Sequence, residues 1–219
     1  MAGLTGRAFA EQSGEAPVLI LVGQGNPGPK YSGNRHNLGF FIIDEIAAAY
    51  DFPAWREKFN AMVSEGWIET DSSRVKVLLM KPMTFYNETG QSVSRALKFF
   101  KLEPAAVTVF HDEIDLAPGR VRVKQGGGHS GNNGIRSVSS HIGADFRRVR
   151  VGVGHPGDKS KVMPYVLSDF PKAEEVWVTA FLDACIRSLP ILLGGDDERF
   201  QTEVLRLAPA PKSDPKQRN

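Results

Sequence analysis

The chain has 219 residues, 41% of them hydrophobic and 24% charged, a formal net charge of +2 and a single cysteine. This is ordinary globular composition, long enough for a sizeable core in one domain, and it excludes a collagen-like or disulfide-stapled chain and any zinc site built on cysteines. The longest apolar runs, 18–22 and 75–80, are too short to cross a bilayer, so a soluble protein with no membrane partner is expected, in a reducing, cytoplasmic setting.

Residues 1–16 contain no continuous apolar block and carry Glu11 and Glu15, unlike a signal peptide, and read as a flexible N-terminal arm. Residues 17–23 then predict a buried strand. The loop after it, Gly23-Gln24-Gly25-Asn26-Pro27-Gly28, fits the G-x-G-x-x-G dinucleotide pattern letter for letter. Pro27, Pro29 and Gly33 nevertheless postpone the next helix to about residue 37, and the acids Asp44 and Glu45 fall inside that helix instead of ending a second strand. A nucleotide-dependent oxidoreductase therefore ranks third among the readings, and tight turns that need glycine are a plain structural alternative for the loop. The loop delivers Asn26 and His36 toward the carboxyl end of the strand, where open α/β sheets bind ligands. Over residues 37–50, Leu38, Phe41, Ile42, Ile46 and Ala49 recur with helical spacing.

Residues 75–80 predict another strand, and residues 87–100 a helix with Val93, Ala96, Leu97 and Phe100 facing inward. Between them stands Lys81-Pro82-Met83-Thr84-Phe85-Tyr86-Asn87. Asn87 either caps that helix or, beside Phe85 and Tyr86, serves a nucleotide end, where rings stack and amides bond. Strands at 107–110 and 121–123 flank the turn tripeptide Ala117-Pro118-Gly119. The first leads into His111-Asp112-Glu113-Ile114-Asp115, where Asp112 stands ready to orient a histidine across the crevice; solvated turn acids are the alternative. No H-E-x-x-H helix or comparable ligand set accompanies these acids, so no metal is expected. His111, His129, His141 and His155 receive no chemical role.

Five glycines fall within Gly126-Gly127-Gly128-His129-Ser130-Gly131-Asn132-Asn133-Gly134, a stretch open to close approach by a ligand or, alternatively, a flexible linker. It leads into a helix at 131–142 whose first amides suit an anion. Gly128-His129-Ser130-Gly131 is one residue short of a G-x-S-x-G elbow, so a serine nucleophile is not expected. A strand at 149–153 and helices at 173–189 and 196–207, with Cys185 on a core face, close the chain before a disordered tail at 208–219. Strands alternating with helices predict a three-layer α/β sandwich, a mostly parallel mixed sheet flanked by helices. Charge is unevenly spread: residues 120–150 hold seven Lys or Arg against one acid, Asp145, and the remainder of the chain is net acidic. Such a basic stretch is the footprint expected for a phosphate backbone, with a solvated, salt-bridged face as the alternative.

Five motifs in order resemble those of bacterial-type peptidyl-tRNA hydrolases: Gly25-Asn26-Pro27-Gly28, Asn34-Arg35-His36-Asn37, the Lys81 to Asn87 segment, His111 to Asp115, and Gly126 to Gly134 followed by Gly152-Val153-Gly154-His155-Pro156-Gly157. The likeness spans about 17–207. It implies hydrolysis of the ester between a peptide and the 3'-terminal ribose of tRNA, with peptidyl-tRNA as the nucleic-acid partner, no cofactor, and a monomer. It also implies that His36 is the catalytic base, that Asp112 holds it in its basic form, and that Asn26 discriminates blocked from free aminoacyl ends. Tyr31, Phe85, Asn87 and Asn133 would contact the tRNA or its acyl end, and Lys124 and Arg150, with Arg122 where Lys is common, would clamp phosphates. The chain departs from the pattern at Tyr86, where Met is frequent, and at Asn132, where His often stands. The residues agree with that chemistry. Water attacking an ester needs a base of near-neutral pKa, an orienting carboxylate and donors for the oxyanion, for which His36, Asp112 and the amides of Asn26 or Asn87 are candidates. A catalytically inactive RNA-binding module of the same fold is the second reading; it would keep the basic strands but have no need of His36 and Asp112.

Overall fold

Val18–Gly23 forms β1, and its unbroken apolar run reflects cover on both faces: Leu21 enters one core, Ile20 and Val22 the other. The computed structural model describes residues 18–211. Among them β2 (Arg56–Lys58), β3 (Ala61–Glu69), β4 (Arg74–Pro82), β5 (Val107–Glu113), β6 (Val121–Gln125) and β7 (Arg147–Gly152) join β1 in one sheet, ordered β2-β3-β4-β1-β5-β7-β6. The four central strands β4, β1, β5 and β7 are parallel, whereas β2, β3 and β6 extend the edges antiparallel.

Helices cover both faces and complete the three layers. One core holds α1 (Leu38–Ala49), α5 (Lys172–Leu193) and α6 (Asp197–Leu207); the other holds α2 (Thr89–Phe100) and α3 (Asn133–Ile142). The short α4 (Val162–Val166) lies before α5. In α1 the buried stripe is Leu38, Ile42, Ile43, Ile46 and Ala47; Phe41 is half-buried and Ala49, predicted inward, is exposed. Phe100, also predicted inward, is half-buried at the end of α2. Alone among the described residues, α5 is long and apolar enough to cross a bilayer. Here Phe181, Ala184, Cys185 and Leu189 bury its inner face in the core, each large side chain worth roughly 1.5–3 kcal/mol. Burial also pushes the Cys185 thiol up to about 12, which leaves it unreactive.

Three features differ from the sequence expectation. β2 and β3 had no predicted counterpart, because Ser64, Glu65 and Gly66 interrupt the alternation in β3. Gly66 is there because the Phe52 ring covers it: a Cβ would stand 2.8 Å from that ring. The 117–119 turn does not join neighbouring strands, since β7 lies between β5 and β6. Finally, the first residues of the expected tail are packed, with Ala208 buried and Pro211 against Gly119. The expected N-terminal arm and residues 212–219 lie outside the described residues.

β1 leads through α1 toward β4 on one side, while β5 leads to β7 on the other, so the connections diverge at the carboxyl ends of β1 and β5. Gly39 lets the start of α1 press onto that point. A Cβ on it would stand 2.4 Å from the backbone of both Gln24 and Phe110. The chain entering α1 is thereby brought down beside the end of β5.

Candidate active site

His36 sits in the turn Arg35–Asn37 that enters α1, and Asp112 sits near the end of β5. The His36 Nδ1 lies 2.8 Å from Asp112 Oδ2 and 3.0 Å from Oδ1. An ionised carboxylate only accepts, so Nδ1 carries a proton, and in the neutral imidazole Nε2 then presents a lone pair at the other end of the ring. The His36 side chain is 17% exposed and that of Asp112 only 3%, which leaves the imidazole reachable by water and the carboxylate sealed. Burial alone would raise the Asp112 pKa. The charge and hydrogen bond of His36, with His111 and the Tyr86 hydroxyl, outweigh it and hold the carboxyl below its ordinary range.

Neighbouring residues anchor the turn that carries His36. Arg35 is buried, donating to Ser168 Oγ and the Asp169 carbonyl at 2.8 Å each and to Glu174 Oε1 at 2.9 Å, with its guanidinium 4.4 Å from the Tyr165 ring centroid. Asn34 Nδ2 donates to Asp169 Oδ1 at 2.7 Å. On the other side, Asn37 grips the Asn26 peptide: its Oδ1 accepts the Asn26 N–H at 2.9 Å and its Nδ2 donates to the Asn26 carbonyl at 3.0 Å. Asn26 Oδ1 in turn accepts the backbone N–H of Tyr86 at 2.9 Å. That bond fixes the amide orientation and leaves Nδ2 as the end that a ligand can meet.

Tyr86 ties the cluster together. Its ring lies flat on that of His36, with centroids 3.5 Å apart and planes at 11°. Its hydroxyl donates to Asp112 Oδ1 at 2.8 Å and accepts from Asn132 Nδ2 at 3.0 Å. Phe85 and Asn87 flank it on an exposed turn, Phe85 being 57% exposed. Asn87 does not cap α2: Glu88 occupies the cap position, without a side-chain bond. Asn133 is exposed on the first turn of α3 beside Asn132, whose Oδ1 caps that helix by accepting the Ile135 N–H at 3.0 Å. Tyr31 is half-buried in the turn Pro29–Tyr31, with Lys30 Nζ 5.6 Å from its ring centroid. The structure thus brings Asn26, His36 and Asp112 into one bonded cluster, while Tyr31, Phe85, Asn87 and Asn133 occupy turns around it.

The basic stretch forms a second feature. The β6–β7 ladder sets Arg122 opposite Arg150 and Lys124 opposite Arg148, and strand alternation turns all four to one face. Val121, Val149 and Val151 point the other way into the core. Like charges directly opposite each other cost a few tenths of a kcal/mol or more per pair. Two of the four are offset: Arg150 Nε donates to Glu113 Oε2 at 2.9 Å, and Arg148 is buried, donating to the Gly127 carbonyl at 2.7 Å. Arg122 and Lys124 are exposed without a carboxylate partner among the described residues. A cleft lined by His111, Glu113, Lys124, His129, Arg148 and Arg150 separates this face from the glycine-rich loop. Arg147 serves the fold instead, donating to the Leu192 carbonyl at 2.8 Å and lying 3.4 Å from Asp197.

Residues 20–212 match the family model described as peptidyl-tRNA hydrolase. The chain belongs to the peptidyl-tRNA hydrolase family. It is 66% identical over 200 residues to the peptidyl-tRNA hydrolase of Hyphomonas neptunium, covering 91% of this chain and 97% of that one. With the peptidyl-tRNA hydrolase of Phenylobacterium zucineum the identity is 57% over 199 residues, 91% of this chain and 95% of the other. The crystal structure of peptidyl-tRNA hydrolase from Acinetobacter baumannii matches with a TM-score of 0.78 at 35% identity, over 88% of this chain and 97% of that one. The dinucleotide reading of Gly23 to Gly28 fails here as well, because the loop enters two short turns and α1 starts only at Leu38.

In this peptidyl-tRNA hydrolase fold, sequence reasoning passed over Arg35, Asn37, Asn132, the Tyr86 hydroxyl and Arg148. Arg35 and Asn37 flank His36 within a motif already singled out, yet their partners lie 133 and 11 residues away, so no local pattern reveals the bonds. Asn132 stood out only as a departure from the family pattern, and Tyr86 as a departure and as a ring beside a nucleotide end; instead the Tyr86 ring is buried against His36, and the two residues are hydrogen-bonded to each other.

Proposed function

We infer that this chain is a peptidyl-tRNA hydrolase that cleaves the ester between the peptide and the 3'-terminal ribose of tRNA, with His36 as general base and water as nucleophile. The observation that carries the reading is the bond from His36 Nδ1 to the buried Asp112 carboxylate, which in the neutral imidazole makes Nε2 the basic nitrogen. Nε2 takes a proton from the attacking water, and Asp112 stabilises the imidazolium that forms. The ester carbonyl becomes a tetrahedral oxyanion, for which the Asn26 Nδ2 or the Asn87 amide is the donor. When that intermediate collapses, the ribose oxygen leaves and takes the proton back from His36. Free tRNA and peptide are the products.

Selectivity and positioning follow from the surrounding groups. An amide fixed as Asn26 is bonds a peptide group well and a charged free amino group poorly. Phe85 offers a face for the terminal base, with Tyr31, Asn87 and Asn133 around it. Arg122, Lys124 and Arg150 hold phosphates. The proposal includes a cytoplasmic monomer; it also has the enzyme act without a metal or other cofactor, because each chemical demand already has a side chain assigned to it.

The test is incubation with N-acetylated aminoacyl-tRNA, scoring release of free tRNA. The wild type is expected to release it, and His36→Ala to lose about 10²-fold or more in rate while still binding tRNA. Turnover retained by His36→Ala would sink the base assignment. Wild-type binding without turnover would instead favour an RNA-binding module.

A further inference from the structure

The proposed reaction has no use for the Tyr86 hydroxyl, although that hydroxyl touches the carboxylate on which the base depends. Its bonds run in one direction only. The Asn132 amide nitrogen can only donate and the ionised Asp112 can only accept, so the hydroxyl accepts from the first at 3.0 Å and donates to the second at 2.8 Å. Asn132 is itself oriented independently, because its Oδ1 is committed to the Ile135 N–H at the start of α3. Tyr86 is held at its backbone by Asn26 and along its ring by His36. Both residues are otherwise unassigned.

We propose that Tyr86, held in place by Asn132, is a positioning residue for the catalytic base: its hydroxyl fixes the rotation of the Asp112 carboxylate so that Oδ2 faces His36, and its ring fixes the imidazole plane. This rests on the reading of His36 as the base. The carboxylate has few other restraints. Oδ2 meets only His36, Oδ1 lies 3.0 Å from the same His36 nitrogen besides meeting Tyr86, and the one further group at Asp112 is its own carbonyl, which accepts from His111 Nδ1 at 2.8 Å. Burial and the charge of Asp112 keep the Tyr86 hydroxyl protonated well above its ordinary range, so it stays a donor at any working pH. His111, kept from protonating first of all by burial, and Glu113, paired with Arg150, are the other titratable groups facing the cluster.

Two effects separate positioning from mere packing. Without the hydroxyl, the carboxylate is free to turn and holds the imidazole less well, so kcat falls. Its negative charge also rests more fully on His36, which favours the imidazolium, so the acid limb of kcat/KM moves to higher pH. Loss of packing alone would reduce the folded fraction and leave the limb where it was.

The experiment measures kcat, KM, tRNA affinity and the pH profile on N-acetylated aminoacyl-tRNA for Tyr86→Phe, Asn132→Ser, the double variant and His36→Ala. Phenylalanine keeps the stacked ring; serine keeps an oxygen to cap α3 but is too short to reach Tyr86. Tyr86→Phe is expected to lower kcat about tenfold, with KM and tRNA affinity unchanged, and to raise the acid limb by about half a pH unit. Asn132→Ser is expected to act in the same direction and more weakly, and the double variant to be no worse than Tyr86→Phe, since both act through one hydroxyl. A wild-type profile for Tyr86→Phe, or losses that add and leave the limb unmoved, would overturn the proposal. Should Tyr86→Phe fail to fold, Asn132→Ser alone reads the same limb, and its immobility would overturn the proposal equally. Turnover by His36→Ala would instead mark failure of the base reading itself.

Discussion

Asp112→Asn changes one atom at the centre of the cluster and reverses the polarity of one end of the side chain. The carboxylate now meets two donors, His36 Nδ1–H and Tyr86 O–H. An amide offers one acceptor oxygen, and its NH2 must face one of those donors. If the oxygen stays with Tyr86, the NH2 faces His36 and drives the proton to Nε2, which removes the lone pair that water needs. The rate is expected to fall about 10²–10⁴-fold, with tRNA affinity little changed. Stability gives an independent reading. The folded pKa of Asp112 is depressed, so its contribution is fully present above the unfolded value of about 3.9 and is lost as pH falls through the folded value. Asp112→Asn is therefore expected to flatten the acid side of the stability profile, below about pH 4. The assays are single-turnover release of tRNA, filter binding, and urea melts from neutral to acid pH. Undiminished kcat with weakened tRNA binding would refute the partner assignment.

Lys124→Ala is expected to raise KM for whole peptidyl-tRNA, flatten the logarithmic salt dependence by about one, and leave cleavage of a small acyl-adenosine ester unchanged. Equal losses on both substrates would reduce the basic face to a solvated one. Arg35→Ala should cost about 3 kcal/mol, since it strands Glu174 and the Asp169 carbonyl, and should lower kcat because the His36 turn loosens; an unshifted melting temperature would contradict this. His111→Asn tests burial: because burial depresses the His111 pKa, the unfolded chain binds a proton first as pH falls below about 6.5, and wild-type stability should drop there by up to about 1.4 kcal/mol per pH unit. Asparagine should remove that slope, and a slope equal to the wild type would show that another group causes it.

How far the fold could be read from the sequence depends on how local each cause is. β1 and the centre of β4 are legible because cover on both faces demands an apolar residue at every position. β3 is not, because its polar and glycine positions answer to distant chain: Ser64 Oγ donates to the Pro53 carbonyl at 2.7 Å, and Gly66 yields space to Phe52. β5 was expected to end at residue 110, yet it runs to Glu113, with His111, Asp112 and Glu113 all buried. Hydropathy cannot place three ionisable residues in a buried strand end; their partners His36, Tyr86 and Arg150 make it tolerable.

The same distinction holds for the site. His36, Asp112 and Asn26 could be singled out by their place at the expected carboxyl ends of strands and by the motifs that resemble the family's, both of which are local features of the sequence. The groups that aim them could not. Arg35, Asn37 and Asn132 have side chains suited to many duties, and what they do is set only by contacts across the fold. The basic face shows why composition alone misleads: of seven cations in residues 120–150, Arg147 and Arg148 are spent on backbone carbonyls and Arg150 is shared with Glu113. Four like charges on one face of the edge pair β6 and β7 oppose folding. Arg148 has a structural reason to be there, because it pins the glycine-rich loop. Arg122 and Lys124 have none within the described residues, and a polyanion is the partner that would turn their mutual repulsion into binding energy.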